Sequence, residues 1–292
     1  MVLGRVLFGV AFGVAHPATK RTVIVADPDH LGRNLGRLGA FDVAGFVVGP
    51  AAAALLNGIG GFRFPFWVMA ALLALLIPTA WRARPDTAAR DTQRRRPTDL
   101  LRIRRLVGAF FIVAAYFVFI GAFESIWVLE MDHRGAKQWQ IGVSVTVAAL
   151  PICLLAPWGG VMAQRYGARR WAVGMVVTCS AFSTLFGLVE GLVALVILTI
   201  ACSCAEGAGF PSAPMLVSAA VPEDRQAAAQ GLASAIEVGA AAVAALGLAA
   251  IYDAFGDTTA WAVTGVTMTV LLSIGLILTK ETGQIETSEV KK

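Results

Sequence analysis

The chain has 292 residues, 57% of them hydrophobic and only 15% charged, with a net charge of +5. Soluble domains carry roughly 25% charged and 45–50% apolar residues, so this balance excludes an ordinary soluble domain. Apolar stretches of the length needed to cross a bilayer follow one another, without the alternation of barrel strands, and predict an all-α polytopic membrane protein.

Nine spans follow from the apolar runs, at about 2–25, 38–57, 63–81, 106–130, 139–163, 170–188, 191–218, 228–252 and 258–279. The first contains Arg5. A charge inside the bilayer is costly and tends to face a bundle interior, so Arg5 is a candidate for substrate contact or for pairing with a carboxylate. His16 and Pro17 stand in the same span, and His16 reads as a packing residue. The second span carries Gly36, Gly45, Gly49 and Pro50. Gly45 and Gly49 share one helix face and allow close helix approach, and Pro50 permits a bend. After the third span comes a polar segment, 82–105, with nine arginines interrupted by Pro85, Asp86, Asp91 and Pro97. It reads as a solvated linker. The chain divides into a partial N-terminal bundle of three helices (1–81), this basic linker, a six-helix bundle (106–279) and a polar tail (280–292).

In the second bundle, Glu124 lies some two-thirds along its helix and Glu206 near the middle of another. Loss of water favours the protonated form of a carboxyl group, so both are candidates for binding and releasing a proton or a cation. Between the fifth and sixth spans, the stretch GGVMAQRYGARRW returns Arg165, Arg169 and Arg170 to an otherwise apolar region. Trp127, Trp158, Tyr116 and Phe210 are able to stack on a hydrophobic or cationic substrate. The four cysteines (Cys153, Cys179, Cys202 and Cys204) sit in apolar runs with no C-x-x-C pair, which predicts buried packing residues and no metal site. Neither H-E-x-x-H nor G-x-S-x-G occurs, so no enzyme activity and no cofactor are expected.

Loop charges give an orientation. Assigning alternate loops to opposite sides puts 20 Lys and Arg residues on one side and 3 on the other. The positive-inside rule places the first side in the cytoplasm, with the C-terminus. The positive charge is then a topology signal in the plasma membrane, and no nucleic-acid partner is expected.

Two segments resemble one another. Pro17 matches Pro211, Pro28 matches Pro222 and Asp29 matches Glu223 at an offset of 194; one inserted residue later, Gly36 matches Gly231 and Asp42 matches Glu237. Each copy reads apolar helix, proline, acidic-proline turn, small-residue helix. Parallel repeats of membrane helices indicate a two-bundle transporter with its site at the interface. The same offset places the start of the first bundle about 88 residues ahead of Met1, room for three helices.

Three motifs carry a family resemblance. Gly160-x-x-x-Gln164-Arg165-x-Gly167-x-Arg169-Arg170 resembles the cytoplasmic loop motif of the major facilitator superfamily, with Gln164 where that family usually has Asp. Gly36-(x)8-Gly45-(x)3-Gly49-Pro50 followed by Ala53-Ala54 resembles the fifth-helix motif of its proton-coupled drug exporters, where Gly-Gly is usual. Arg5-x-x-x-Gly9 resembles a fourth-helix motif, with Phe8 where Gln is usual. The chain looks like the last nine helices of a twelve-helix member.

The resemblance implies proton-coupled export of a small amphipathic or drug-like compound by alternating access. Symport or uniport of a nutrient, or a truncated membrane protein that does not transport, are the alternatives. It also implies that the helices of Arg5, Glu124 and Glu206 line a central cavity. The gate residues on the cytoplasmic side would be Asp42, Glu237, Arg165, Arg169 and Arg170, with Asp42 meeting Arg165 or Arg169 across the bundle interface. The bilayer, a small-molecule substrate and protons are the expected partners.

Overall fold

The computed structural model describes residues 2–82 and 97–279. The described residues form ten α-helices and three short 3-10 turns, without a strand. The helices are α1 (Val2–Ala26), α2 (Leu31–Gly60), α3 (Phe64–Arg82), α4 (Arg104–His133), α5 (Gln138–Tyr166), α6 (Ala168–Phe186), α7 (Leu192–Gly209), α8 (Ser212–Ser218), α9 (Gln226–Phe255) and α10 (Asp257–Thr279). Taking α7 and α8 as one rod, five rods among the described residues are long and apolar enough to cross a membrane: α4, α5, α7–α8, α9 and α10.

Two boundaries differ from the sequence expectation. The second helix begins at Leu31 rather than near 38, because Arg33 and Arg37 are exposed and their long side chains leave the helix intact. The span expected at 191–218 is divided between α7 and α8 at Phe210 and Pro211. Proline has no N–H to continue the ladder. The bulk of the 82–105 linker and the tail from 280 lie outside the described residues.

α4 through α10 share the main core. Phe123 stacks on Trp127 at 4.8 Å between ring centroids, and Phe186 meets Trp261 edge-on at 5.1 Å. The buried Trp127 indole donates to the Ser144 hydroxyl at 3.0 Å, which satisfies its polar end. In lipid there is little hydrophobic drive between helices, so close backbone approach matters more. Gly108 and Gly275 face each other between α4 and α10, and a side chain at Gly121 would overlap the Ala241 carbonyl of α9.

α1 and α2 reach the rest of the fold across one interface. α1 packs on α9, α2 packs on α5, and α3 touches α2. Gly32 of α2 and Gly160 of α5 are so close that a Cβ on either would overlap the other's carbonyl. This approach lies at the end of the molecule that also holds Arg165, Arg169 and Arg170, called the basic end below.

Candidate functional site

A cavity of about 730 Å³ opens between α1–α2 and the larger bundle. Its lining follows helical spacing on every wall: Phe12, His16 and Lys20 on α1; Leu38, Asp42 and Phe46 on α2; Tyr116, Ile120 and Glu124 on α4; Ser203, Glu206 and Phe210 on α7 and its end; Ser234, Glu237 and Val238 on α9. Residues three or four apart share a helix face, so each helix presents one stripe.

The lining also follows the repeat. Phe12, His16 and Lys20 match Phe210's helix at Glu206, Phe210 and Pro214 with the offset of 194, and Asp42 and Val43 match Glu237 and Val238 one residue later. All of these positions face the same cavity. Equivalent faces of the two copies therefore meet across it.

Three polar arrangements sit in this apolar shell. Tyr116 donates its hydroxyl to Glu206 at 3.0 Å, and both side chains are buried. Tyr116 also meets Phe210 edge-on at 6.2 Å. Lys20 Nζ lies 3.1 Å from both carboxylate oxygens of Glu237, joining α1 to α9 with both partners buried. His16 Nε2 stands 3.5 Å from Asp42 Oδ2. Glu124 is exposed, on the same face of α4 as Tyr116 and about two turns further along. The described lining thus carries four carboxylates (Asp42, Glu124, Glu206 and Glu237) against one lysine, which Glu237 already holds, and His16.

The expected contact between Asp42 and Arg165 or Arg169 is not formed. Asp42 lies inside the cavity wall beside His16, whereas the arginines serve the loop at the basic end. Arg165 covers the Tyr166 ring at 5.5 Å, Arg169 Nε donates to Thr279 Oγ1 of α10 at 3.0 Å, and Arg170 is exposed. Gly167, with φ +100°, makes the turn that carries them. The contact between halves is made by Gln164 instead. Its amide donates to the carbonyls of Pro28 and Asp29 at 3.2 and 3.0 Å and accepts from the Gly32 N–H at 2.8 Å. An aspartate there could not donate to those carbonyls. In the adjacent turn, hydrogen bonding from His30 and Asn34 holds the Asp27 carboxyl below its ordinary range.

Among the other expected residues, Gly36 packs tightly on Ala156 and Pro157, while Gly45 and Gly49 meet nothing within 4 Å. The side chains of Arg5 and Pro50 lie outside the described residues. Trp127 belongs to the core, and Trp158 packs on Trp171 at the surface, so of the four aromatics Tyr116 and Phe210 reach the cavity. Sequence reasoning counted Lys20 as a loop charge and read His16 as a packing residue, whereas both line the cavity. Their spacing to Phe12 along one helix face was the available signal.

A helical bundle whose described residues include five rods long and apolar enough to cross a membrane, and a cavity built from repeat-related faces, defines a multi-pass membrane protein. The Major Facilitator Superfamily model matches residues 1–137 and again 106–292, and the chain belongs to that superfamily. Over 86 residues it is 33% identical to the putative uncharacterized transporter YgaY of Escherichia coli K12, covering 30% of this chain and 22% of that protein. Over 154 residues it is 31% identical to the probable nitrate/nitrite antiporter NarK1 of Thermus thermophilus, covering 48% of this chain and 35% of that one. The chain thus spans well under half the length of the curated relatives it matches.

Proposed function

We propose that this carrier exports a small amphipathic cation in exchange for protons, by alternating access in the plasma membrane. The observation that carries this reading is the charge of the cavity: aromatic walls, four carboxylates and one committed lysine among the described lining. Such a site attracts a lipophilic cation and repels an oxyanion. Glu206 is the proton or cation site, with Tyr116 as its hydrogen-bond partner, and Glu124 is a second carboxylate on the substrate path. Arg5 is kept as a charge partner on α1.

The nine rods act as spans with the basic end and the tail in the cytoplasm, in keeping with the loop-charge asymmetry. The units are the first three helices (1–81), the linker (82–105), the six-span bundle (106–279) and the tail (280–292). Gly207 packs on the backbone of Pro151 and Ile152 in α5, while its repeat counterpart Gly13 meets nothing within 4 Å. Lys20–Glu237, Gln164 and the Gly32–Gly160 approach hold the cytoplasmic side shut, so this form faces outward. Asp42 acts in this latch through His16, and Arg165, Arg169 and Arg170 anchor the loop.

Inside-out vesicles carrying the protein test the reading. A proton gradient should drive uptake of ethidium, and Glu206→Gln should abolish it while leaving the amount of folded protein unchanged. Nitrate exchange without ethidium uptake would replace this reading with oxyanion transport.

A further inference from the structure

A second hollow, of about 580 Å³, lies on the outer surface between α2 and α5 and belongs to no part of the transport site. Arg37, Ala40, Phe41 and Ala44 line it from α2, and Cys153 and Pro157 from α5. These positions recur every three or four residues, so each helix gives one continuous face. Arg37 stands six residues into α2, about 9 Å from its start, and the apolar residues continue deeper along the helix. Arg33 lies one turn nearer the helix start, and both guanidinium groups are exposed. No carboxylate lines the hollow.

We propose that this groove binds one anionic phospholipid, its phosphate on Arg37 and Arg33 and an acyl chain along Phe41, Ala44, Cys153 and Pro157. The charge is complementary, and in the proposed topology Arg33 and Arg37 stand near the cytoplasmic end of α2 with the apolar part continuing toward the bilayer centre. Pro157 supplies no N–H to the Cys153 carbonyl four residues earlier, so the backbone of α5 lacks one ladder hydrogen bond beside the groove. The hollow lies directly beside the tight approach of Gly36 to Ala156 and Pro157, so its occupant touches both helices of that contact. Any effect on transport rests on the alternating-access reading; the binding does not.

Cys153 gives a direct readout, and Cys204, exposed on α7, serves as an internal standard. The purified chain is placed in nanodiscs of phosphatidylcholine, with and without phosphatidylglycerol, and alkylation by N-ethylmaleimide is followed at each cysteine by peptide mass spectrometry. Phosphatidylglycerol should slow Cys153 relative to Cys204 by about five-fold, the occupancy ratio expected from one basic residue at an anionic surface. Arg37→Gln should remove the protection, and Arg170→Gln, outside the groove, should keep it. Equal rates in both lipids would overturn the proposal. So would protection that survives Arg37→Gln, that is lost equally in Arg170→Gln, or that soluble glycerol phosphate reproduces.

Discussion

Lys20 and Glu237 form a buried ion pair between helices of different halves, with 7% and 6% of their surfaces exposed. Removing one partner of such a pair leaves a buried charge without compensation, at about 3–5 kcal/mol, while replacing both by apolar residues of similar size is close to neutral. Lys20→Met should therefore lower the unfolding temperature sharply, and Lys20→Met with Glu237→Leu should restore most of the loss. A thermal scan of the wild type and the two purified variants in detergent measures this; equal melting of wild type and single variant would show that the pair contributes nothing. Glu237 was singled out in the sequence through its repeat match with Asp42, as a gate residue and not as the partner of a lysine. Lys20 was not. It stands next to Arg21 near the end of an apolar run, where a basic residue reads as a loop charge, and only the register of α1 against α9 turns it inward.

α2 and α5 meet through small residues, and this contact decides how near the two halves come. A side chain at Gly160 has no room against the Gly32 carbonyl. Gly160→Val should push the helices apart at the basic end, lengthening a spin-label distance between Thr22 and Arg170 by several ångströms, while core packing around Trp127 is unaffected. No change in that distance would mean that the approach is incidental. Gly32 and Gly160 show how far sequence reading goes at this scale. Each was visible as a small residue in a helix-forming run, and Gly36 and Gly160 were singled out within motifs. Which glycine faces which depends on helix register across the interface, a tertiary property that one sequence does not encode in its local pattern. The break at Pro211 was hidden for a related reason: Pro17, its repeat partner, sits inside an unbroken α1. The same residue type is tolerated or not according to its surroundings.

At the scale of the whole molecule, composition and hydropathy made the membrane class and the approximate helix limits legible, since the hydrocarbon thickness fixes both. The repeat added the division into halves, and in the structure its matched positions face one cavity. The loop-charge asymmetry of 20 to 3 makes a further prediction. In intact cells, a cysteine introduced at Lys137 should react with a membrane-impermeant maleimide, and one at Arg170 should react only after the cells are opened. The reverse pattern would invert the proposed orientation and the direction of transport with it.

The joining of Lys20 to Glu237 also has an electrical meaning. Its two members have opposite charges, so while they move together the pair contributes no net displacement across the bilayer, and charge is displaced only by their parting along the membrane normal. A membrane potential acts on moving charge at about 2.3 kcal/mol per elementary charge per 100 mV. That force finds nothing to hold while the latch stays joined. It falls on the carboxylates that have no fixed cation, Glu124 and Glu206, and its sign there depends on whether they travel bare, protonated or with cargo. Voltage would thus report the loading of the cavity, and feel the door only at the moment its two charges part.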